Sequence, residues 1–192
     1  MIVSRSDLKF YISQDEKMNN KNNHSFREKI RVVVAPDLIQ KYLYFLRKAE
    51  FHNNRHNKII GAYYKYRLRK LGIRLGYSIP INVCGPGLSL PHHGTIIVNS
   101  NAKIGANCRL HACVNIGASG GSGKAPQLGD NVYIGPSAVL FGDIKIANNV
   151  TIGANATVNK SCIIENVVLA GSPASIVKES YPNWVEFNRI SK

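Results

Sequence analysis

The chain has 192 residues, 44% of them hydrophobic and 19% charged, with a formal net charge of +14. That balance is globular and excludes a disordered chain, and no apolar run approaches the ~18 residues of a membrane span. The charge is uneven: residues 1–79 hold 17 Lys/Arg against 6 Asp/Glu, whereas residues 80–192 hold 8 against 5. A basic N-terminal part suits an anionic partner, whether a phosphate-bearing substrate, a membrane surface or nucleic acid, and equally a plain solvated face.

The start, "MIVSRSDLKFY", has polar and charged residues where a signal peptide needs its apolar stretch, so a cytoplasmic protein is expected. "SDLKFYISQDE" predicts a short helix, and "NNKNNHS" a polar break after it. "DLIQKYLYFLRKAEF" sets Leu38, Tyr42, Phe45, Leu46 and Ala49 at i, i+3 and i+4 spacings, a helix with one buried face, with Asp37 as its cap. "KIIGAYYKYRLRKLG" repeats the pattern with Ile59, Tyr63, Tyr66, Leu68 and Leu71 and is expected to end at Gly72. The aromatic residues here suit core packing better than a stacking platform.

From Val98 the period becomes six. Val98, Ile104, Leu110, Ile116, Leu128, Ile134, Leu140, Ile146, Ile152, Val158 and Ile164 share one register, with Ser122 its single gap. Four residues after these positions a smaller or aliphatic residue recurs, from Ala102 and Cys108 to Cys162 and Val168. Six residues advance a helix by about 600°, some 120° off a whole turn, so this is no helix face. Gly and Asn interrupt it too often for a flat strand. A stacked strand-plus-turn solenoid fits, with large aliphatics pointing inward. The register leaves off at "GASGGSGKAPQ", residues 117–127, and resumes in phase, which predicts a protruding loop. The expected organisation is a helical region over 1–79, a solenoid over 80–170 and a tail with a short helix over 171–192.

Four cysteines, Cys84, Cys108, Cys113 and Cys162, show no zinc or disulfide spacing. "LPHHGTIIVN" raises a sharper question. His92 and His93 between a proline and a glycine could be a base, metal ligands or polar residues at a strand entrance. His111 lies 18 residues after His93, three units of the repeat.

The stretches "GPGLSLPHHGTIIVN", "IGANCRLHACVNIGASGGSGKAPQLGDNVYIGPSAVLFGDIKIANNVTIGANATV" and "AGSPASIVK" resemble the hexapeptide-repeat acyltransferases. Within them the chain resembles the serine acetyltransferase branch, especially its variants associated with bacterial surface-polysaccharide synthesis. The resemblance covers roughly residues 80–178. It implies a left-handed parallel β-helix with three six-residue units to a coil, so that His93 and His111, 18 residues apart, are expected to stack on adjacent coils. It also implies a homotrimer, and acetyl-CoA lying in the groove between neighbouring subunits. It implies that His92 is the general base; His93 and His111, by their expected stacking, are the candidates for lining the acceptor pocket. It offers Gly117, Ser119, Lys124, Gly135, Gly153, Ala154 and Lys178 as the acetyl-CoA contacts.

Three positions depart from the serine-specific pattern. Pro91 stands where an acid usually precedes the histidine. Lys124–Ala125–Pro126 replaces the loop "RHP". The aspartate expected some fifteen residues before the base falls near Tyr77 and Ser78. These departures point away from free serine and towards a sugar hydroxyl, with serine as the alternative acceptor. They leave the acetyl-CoA motifs intact.

The chemistry suits a histidine. An alcohol is far less acidic than imidazolium, so its proton is best removed as it attacks the thioester, by a neutral imidazole whose ordinary pKa is ~6.5. Backbone N–H groups of the glycine-rich loop could hold the oxyanion, with Gly117, Gly120 and Gly121 allowing close approach. Rival readings are weaker. Zinc needs three protein ligands, and His24, His52 and His56 fall outside the repeat, so no metal is expected. Cys84 and Cys113 have no neighbouring basic cluster to activate them. Neither a non-catalytic solenoid nor a nucleic-acid binder has a motif in its favour, although the basic charge allows both; peripheral association with an anionic membrane surface stays open.

Overall fold

The computed structural model describes residues 1–19, 37–121 and 123–186. Beyond Asn19 the polar break, together with His24 and Ser122, lies outside the described residues. Helix α1 (Arg5–Met18) opens on a reciprocal cap: Ser4 Oγ accepts from the Asp7 amide, and the Asp7 carboxylate accepts from the Ser4 amide at 2.8 Å. Helix α2 (Leu38–Asn54) is capped by Asp37, whose carboxylate accepts from the amides of Ile39 and Gln40. Its expected face is the buried one: Tyr42, Phe45, Leu46 and Ala49 all lie in the core.

Helix α3 (Lys58–Leu75) corrects the sequence reading twice. It runs past Gly72 and ends at Gly76, in the left-handed region at φ 81°. Gly72 is not a stop. A Cβ there would come within 2.6 Å of the Tyr77 carbonyl oxygen, so glycine is needed for close packing. The buried face is also only partly the expected one. Leu68 and Leu71 face the core as expected, with Leu75, Gly61 and Gly72, but Ile59, Tyr63 and Tyr66 are 85%, 50% and 62% exposed.

After α3 the chain winds into a three-sided parallel solenoid of short strands, numbered along the chain. One face stacks β1 (Tyr77–Ser78), β2 (Ile96–Val98), β5 (Asn115–Gly117), β8 (Val139–Phe141) and β11 (Thr157–Val158). The second stacks β4 (Arg109–Leu110), β7 (Tyr133–Ile134), β10 (Thr151–Ile152) and β12 (Val168–Gly171), with β13 (Ala174–Lys178) antiparallel on its edge. The third stacks β3 (Lys103–Ile104), β6 (Gln127–Leu128) and β9 (Lys145–Ile146).

The register explains the period. Partners such as Ile97↔Asn115 and Gln127↔Lys145 are 18 residues apart, three units of six. Across the loop the separation is 24, as in Arg109↔Tyr133 and Asn115↔Val139. The loop thus adds one whole unit of six, which is why the phase survives it. The last coil is different. Thr151 pairs with Val168, a separation of 17. On the third face Ile146 bridges to Cys162, a separation of 16, so Cys162 stands where Ile164 was expected and Ile164 is 52% exposed. By Val168 the chain is one residue short, and Val167 and Leu169 turn inward.

Corners are turned by asparagines in the left-handed region, where their short polar side chains are tolerated. Asn107, Asn131 and Asn149 stack as a ladder. Each of the first two donates its side-chain amide to the next, at 3.1 and 2.9 Å. The side chain of Asn183 donates to the far end at 3.3 Å. The short C-terminal helical piece is one turn at 184–186 among the described residues, and it carries Trp184 back over the second face, where Nε1 donates to the Asn107 carbonyl at 3.0 Å.

Helices α2 and α3 share one continuous apolar core with the solenoid, from Tyr42 and Leu46 through Leu110 and Leu140 to Leu169, while α1 packs through a separate cluster of Ile2, Leu8 and Phe51. A buried ionic cluster joins them further. The fully buried guanidinium of Arg47 donates to Asp15 at 2.8 and 3.1 Å, to Glu50 at 3.0 Å, and to the carbonyls of Cys84 and Gly85. Asp15 accepts in turn from the amides of Gly87 and Leu88, and Glu50 from that of Asn82. Two carboxylates and two carbonyls thus balance one cation, and they tie α1 and α2 to the segment leading into "LPHHG".

Candidate active site

The turn carrying the two histidines is fixed from both sides. The Gly94 amide donates to the Leu75 carbonyl and the Ile96 amide to the Gly76 carbonyl, so the end of α3 is bonded to this turn. Gly94 itself has φ 141°, and a Cβ on it would lie 3.0 Å from the Ala112 Cβ one coil on. The backbone therefore stacks with the expected 18-residue register.

The rings pair differently from the expectation. His93 was expected to stack towards His111, but the ring beside His111 is that of His92, centroid to centroid 6.0 Å and tilted by 49°. Register decides which Cα atoms are neighbours; the rotamer decides which rings meet. His92 and His93 are both exposed, whereas His111 is half-buried. The far side of His111 packs on the Tyr133 ring at 4.9 Å.

His111 Nε2 is buried and finds no hydrogen-bond partner. Burial, then the charge of Arg109, then His92 pull its pKa down from 6.5 to about 4. His111 is therefore neutral at ordinary pH. An unpaired, buried polar atom on a ring beside an exposed imidazole is a place where a ligand hydroxyl would recover a lost hydrogen bond. Arg109 is held from outside: its Nε donates to Ser89 Oγ at 3.1 Å, and its guanidinium lies 4.1 Å over the Trp184 ring.

Two neighbours were not picked out by sequence, Tyr133 and Arg109 with its Trp184 cover, and a third, Tyr77, stood out only as a departure from the serine pattern and not as a partner of His92. Tyr77 occupies the position fifteen residues before His92, where an aspartate was expected. Its hydroxyl donates to the His92 backbone carbonyl at 2.6 Å, and its ring packs edge-on against Tyr42 at 5.1 Å. Burial raises the Tyr77 phenol well above its ordinary value, with a smaller push from the Asp37 carboxylate. A buried tyrosine bonding to a carbonyl leaves no local sequence pattern, so only its spacing from His92 could have flagged it.

The seven proposed acetyl-CoA contacts fall into separate places. Gly135 and Gly153 continue the column of His111, and their amides are spent on the Ile152 and Leu169 carbonyls of the next coil. A Cβ on Gly135 would sit 2.7 Å from the Ala154 amide nitrogen, so this glycine serves coil stacking. Ala154 beside it is exposed.

Gly117, Ser119 and Lys124 gather at the next corner of the same face, at the loop. Ser119 approaches Gly142, and the exposed Lys124 ammonium pairs with Asp143 at 2.6 Å. That hydrogen bond raises the lysine pKa. Gly120, Gly121 and Gly123 face open space, and the last two adopt positive φ. Lys178 lies on β13 with its ammonium 4.8 Å over Tyr181, outside both clusters.

Of the rival nucleophiles, Cys84 is buried, and burial raises its thiol above the ordinary range. Cys113 is exposed, at a left-handed corner after His111. No helix among the described residues is long and apolar enough to cross a membrane.

With this geometry in view, comparisons with known proteins are informative. Residues 125–160 match the family model described as bacterial transferase hexapeptide (six repeats). Among solved structures, the chain is similar to serine acetyltransferase from Neisseria gonorrhoeae, at 22% identity and a TM-score of 0.72, covering 94% of this chain and 70% of that one. It is similar to the Brucella abortus serine acetyltransferase at 21% identity and a TM-score of 0.68, covering 93% and 72%. It is also similar to soybean serine acetyltransferase complexed with serine, at 20% identity and a TM-score of 0.72, covering 90% and 70%. A comparison with curated proteins finds no match.

The solenoid is thus a left-handed β-helix of the hexapeptide-repeat type. The described residues, helices included, have the fold of the serine acetyltransferases, the group the sequence resembles.

Proposed function

We propose that the protein is an acetyl-CoA-dependent O-acetyltransferase with His92 as general base. The observation that carries this reading is the corner where the exposed His92 ring lies 6.0 Å from His111, whose Nε2 has no partner. In this reading the acceptor hydroxyl lies between the two imidazoles. His92 takes its proton as the oxygen attacks the thioester carbonyl carbon. The O–C bond forms, the C–S bond breaks, and the proton passes on to the departing thiolate. His111, neutral, bonds to the acceptor and keeps a like charge away from the base.

The groove runs along the face between the His111 column and the loop corner. Ala154 on one edge, and Ser119 and Lys124 on the other, are its candidate contacts for acetyl-CoA. Lys124 would exchange Asp143 for a cofactor phosphate, an exposed and easily traded pairing. The reading includes a homotrimer, with residues 80–170 as the catalytic unit and the groove completed by a neighbouring subunit. It also includes a cytoplasmic setting, where acetyl-CoA is available.

Serine is the acceptor that the structural neighbours favour, since two among them are complexes with serine. A sugar hydroxyl is the second reading, and a specific observation favours it: Tyr77 and Pro91 stand where the serine pattern has acids, and Tyr77 spends its hydroxyl on the backbone. One experiment separates them: CoA release by the purified protein with acetyl-CoA and either serine or nucleotide-activated sugars. Turnover on serine alone would remove the sugar reading, and turnover on sugars alone would remove serine. Lack of thermal stabilisation by CoA would argue against acyl transfer itself.

A further inference from the structure

We propose that the outer face of α3 docks on an anionic phospholipid bilayer, an inference that does not depend on the acyl-transfer reading. Taking α3 at 100° per residue, Leu68, Leu71, Leu75, Gly61 and Gly72 form one side, and these are the buried residues. Diametrically opposite runs a second stripe: Ile59, Tyr63, Tyr66 and Ile73. All four are at least half exposed, Ile73 at 76%. A helix that packs on a core through one face has no use in water for an apolar stripe on the other.

The charge on α3 identifies the occupant. The helix holds six Lys/Arg and no Asp/Glu. Lys70 lies within the stripe, Arg67 and Arg74 flank it on one side, and Lys58, Lys65 and Arg69 flank it on the other. Beside the stripe, between α2 and α3, a cavity of about 450 Å³ is lined by Lys41, Arg67, Lys70 and Arg74 over Phe45 and Leu71. An apolar stripe bounded by cations, beside an apolar cavity bordered by them, fits the interface of a negatively charged membrane. Isoleucine and tyrosine side chains would enter the acyl boundary and the cations would meet headgroup phosphates. A second copy of this face would bring six like charges against six. A nucleic acid would leave Ile59 and Ile73 with nothing apolar to bury.

The test is flotation of the full-length protein with vesicles of phosphatidylcholine alone and with vesicles containing about one third phosphatidylglycerol. The variants are Arg69→Glu/Lys70→Glu and Ile59→Ser/Ile73→Ser, with thermal melts confirming that both fold as the parent does. The parent should float only with the anionic vesicles. The charge reversal should lower its partitioning at least about tenfold, and the serine pair should make it removable by salt. Equal flotation with both vesicle types, no flotation, or anionic binding unchanged in both variants would overturn the proposal. So would a fall in the lipid-free molar mass caused by the serine pair, which would assign the stripe to a second copy.

Discussion

Tyr77→Phe removes one atom from the candidate site and leaves the rest in place. The ring is buried and stays packed edge-on against Tyr42, so no cavity opens. What disappears is the 2.6 Å hydrogen bond to the His92 carbonyl, the direct tie from β1 to the histidine itself. A partly buried acceptor left unpaired costs about 1–3 kcal/mol. In a chain of this length each kcal/mol shifts Tm by about 2–4 °C, so a loss of roughly 2–12 °C is expected. The larger signal should be kinetic. His92 is exposed, and its backbone is held by this bond and by the neighbouring turn; a base displaced by about 1 Å can lose up to ~10²-fold in rate. A fall in kcat of about tenfold, with KM for acetyl-CoA little changed, is expected in a CoA-release assay. A variant with unaltered kcat would refute the idea that Tyr77 positions the base.

Arg47→Met should destabilise strongly, because it leaves Asp15 and Glu50 buried without their cation; about 3–5 kcal/mol is expected by urea unfolding. A loss under 1 kcal/mol would show that the cluster does not join the helices to the solenoid. His111 gives a pH signature. Its pKa lies below the unfolded value, so as pH falls from 6.5 towards 4 the unfolded chain takes up the proton first and stability is lost across that window. For a half-buried ring, screened by solvent, the loss is roughly 1–2 kcal/mol. His111→Gln should remove that part of the slope between pH 7 and pH 4.5, and identical slopes in both proteins would contradict the assignment.

Much of the fold was legible because a period of six has few physical solutions, and the in-phase loop kept the signal whole on both sides. Legibility ended where the determinant was not periodic. The final coil runs two residues short at Cys162, which put Ile164 outside the core, and one short at Val168, which moved Val167 and Leu169 into it. On α3 the spacing of Ile59, Tyr63 and Tyr66 is helical, but periodicity cannot distinguish a face that meets the core from one that meets a partner. Gly72 read as a stop because a glycine required by a close carbonyl looks the same in sequence as a capping one. In the site, His92 stood out by its setting. Its ring partner did not, since register fixes Cα neighbours and not rotamers. Asp15, Arg47 and Glu50 are far apart or unremarkable in sequence, and meet only once the helices have packed.

The central claim is that His92 is the base of an acyl transfer at this corner. CoA release by His92→Ala, with acetyl-CoA and whichever acceptor supports turnover, tests it most directly. The account predicts a fall of about 10² or more in kcat, with thermal stabilisation by CoA retained. Activity within a few-fold of the parent would contradict it and move the base elsewhere.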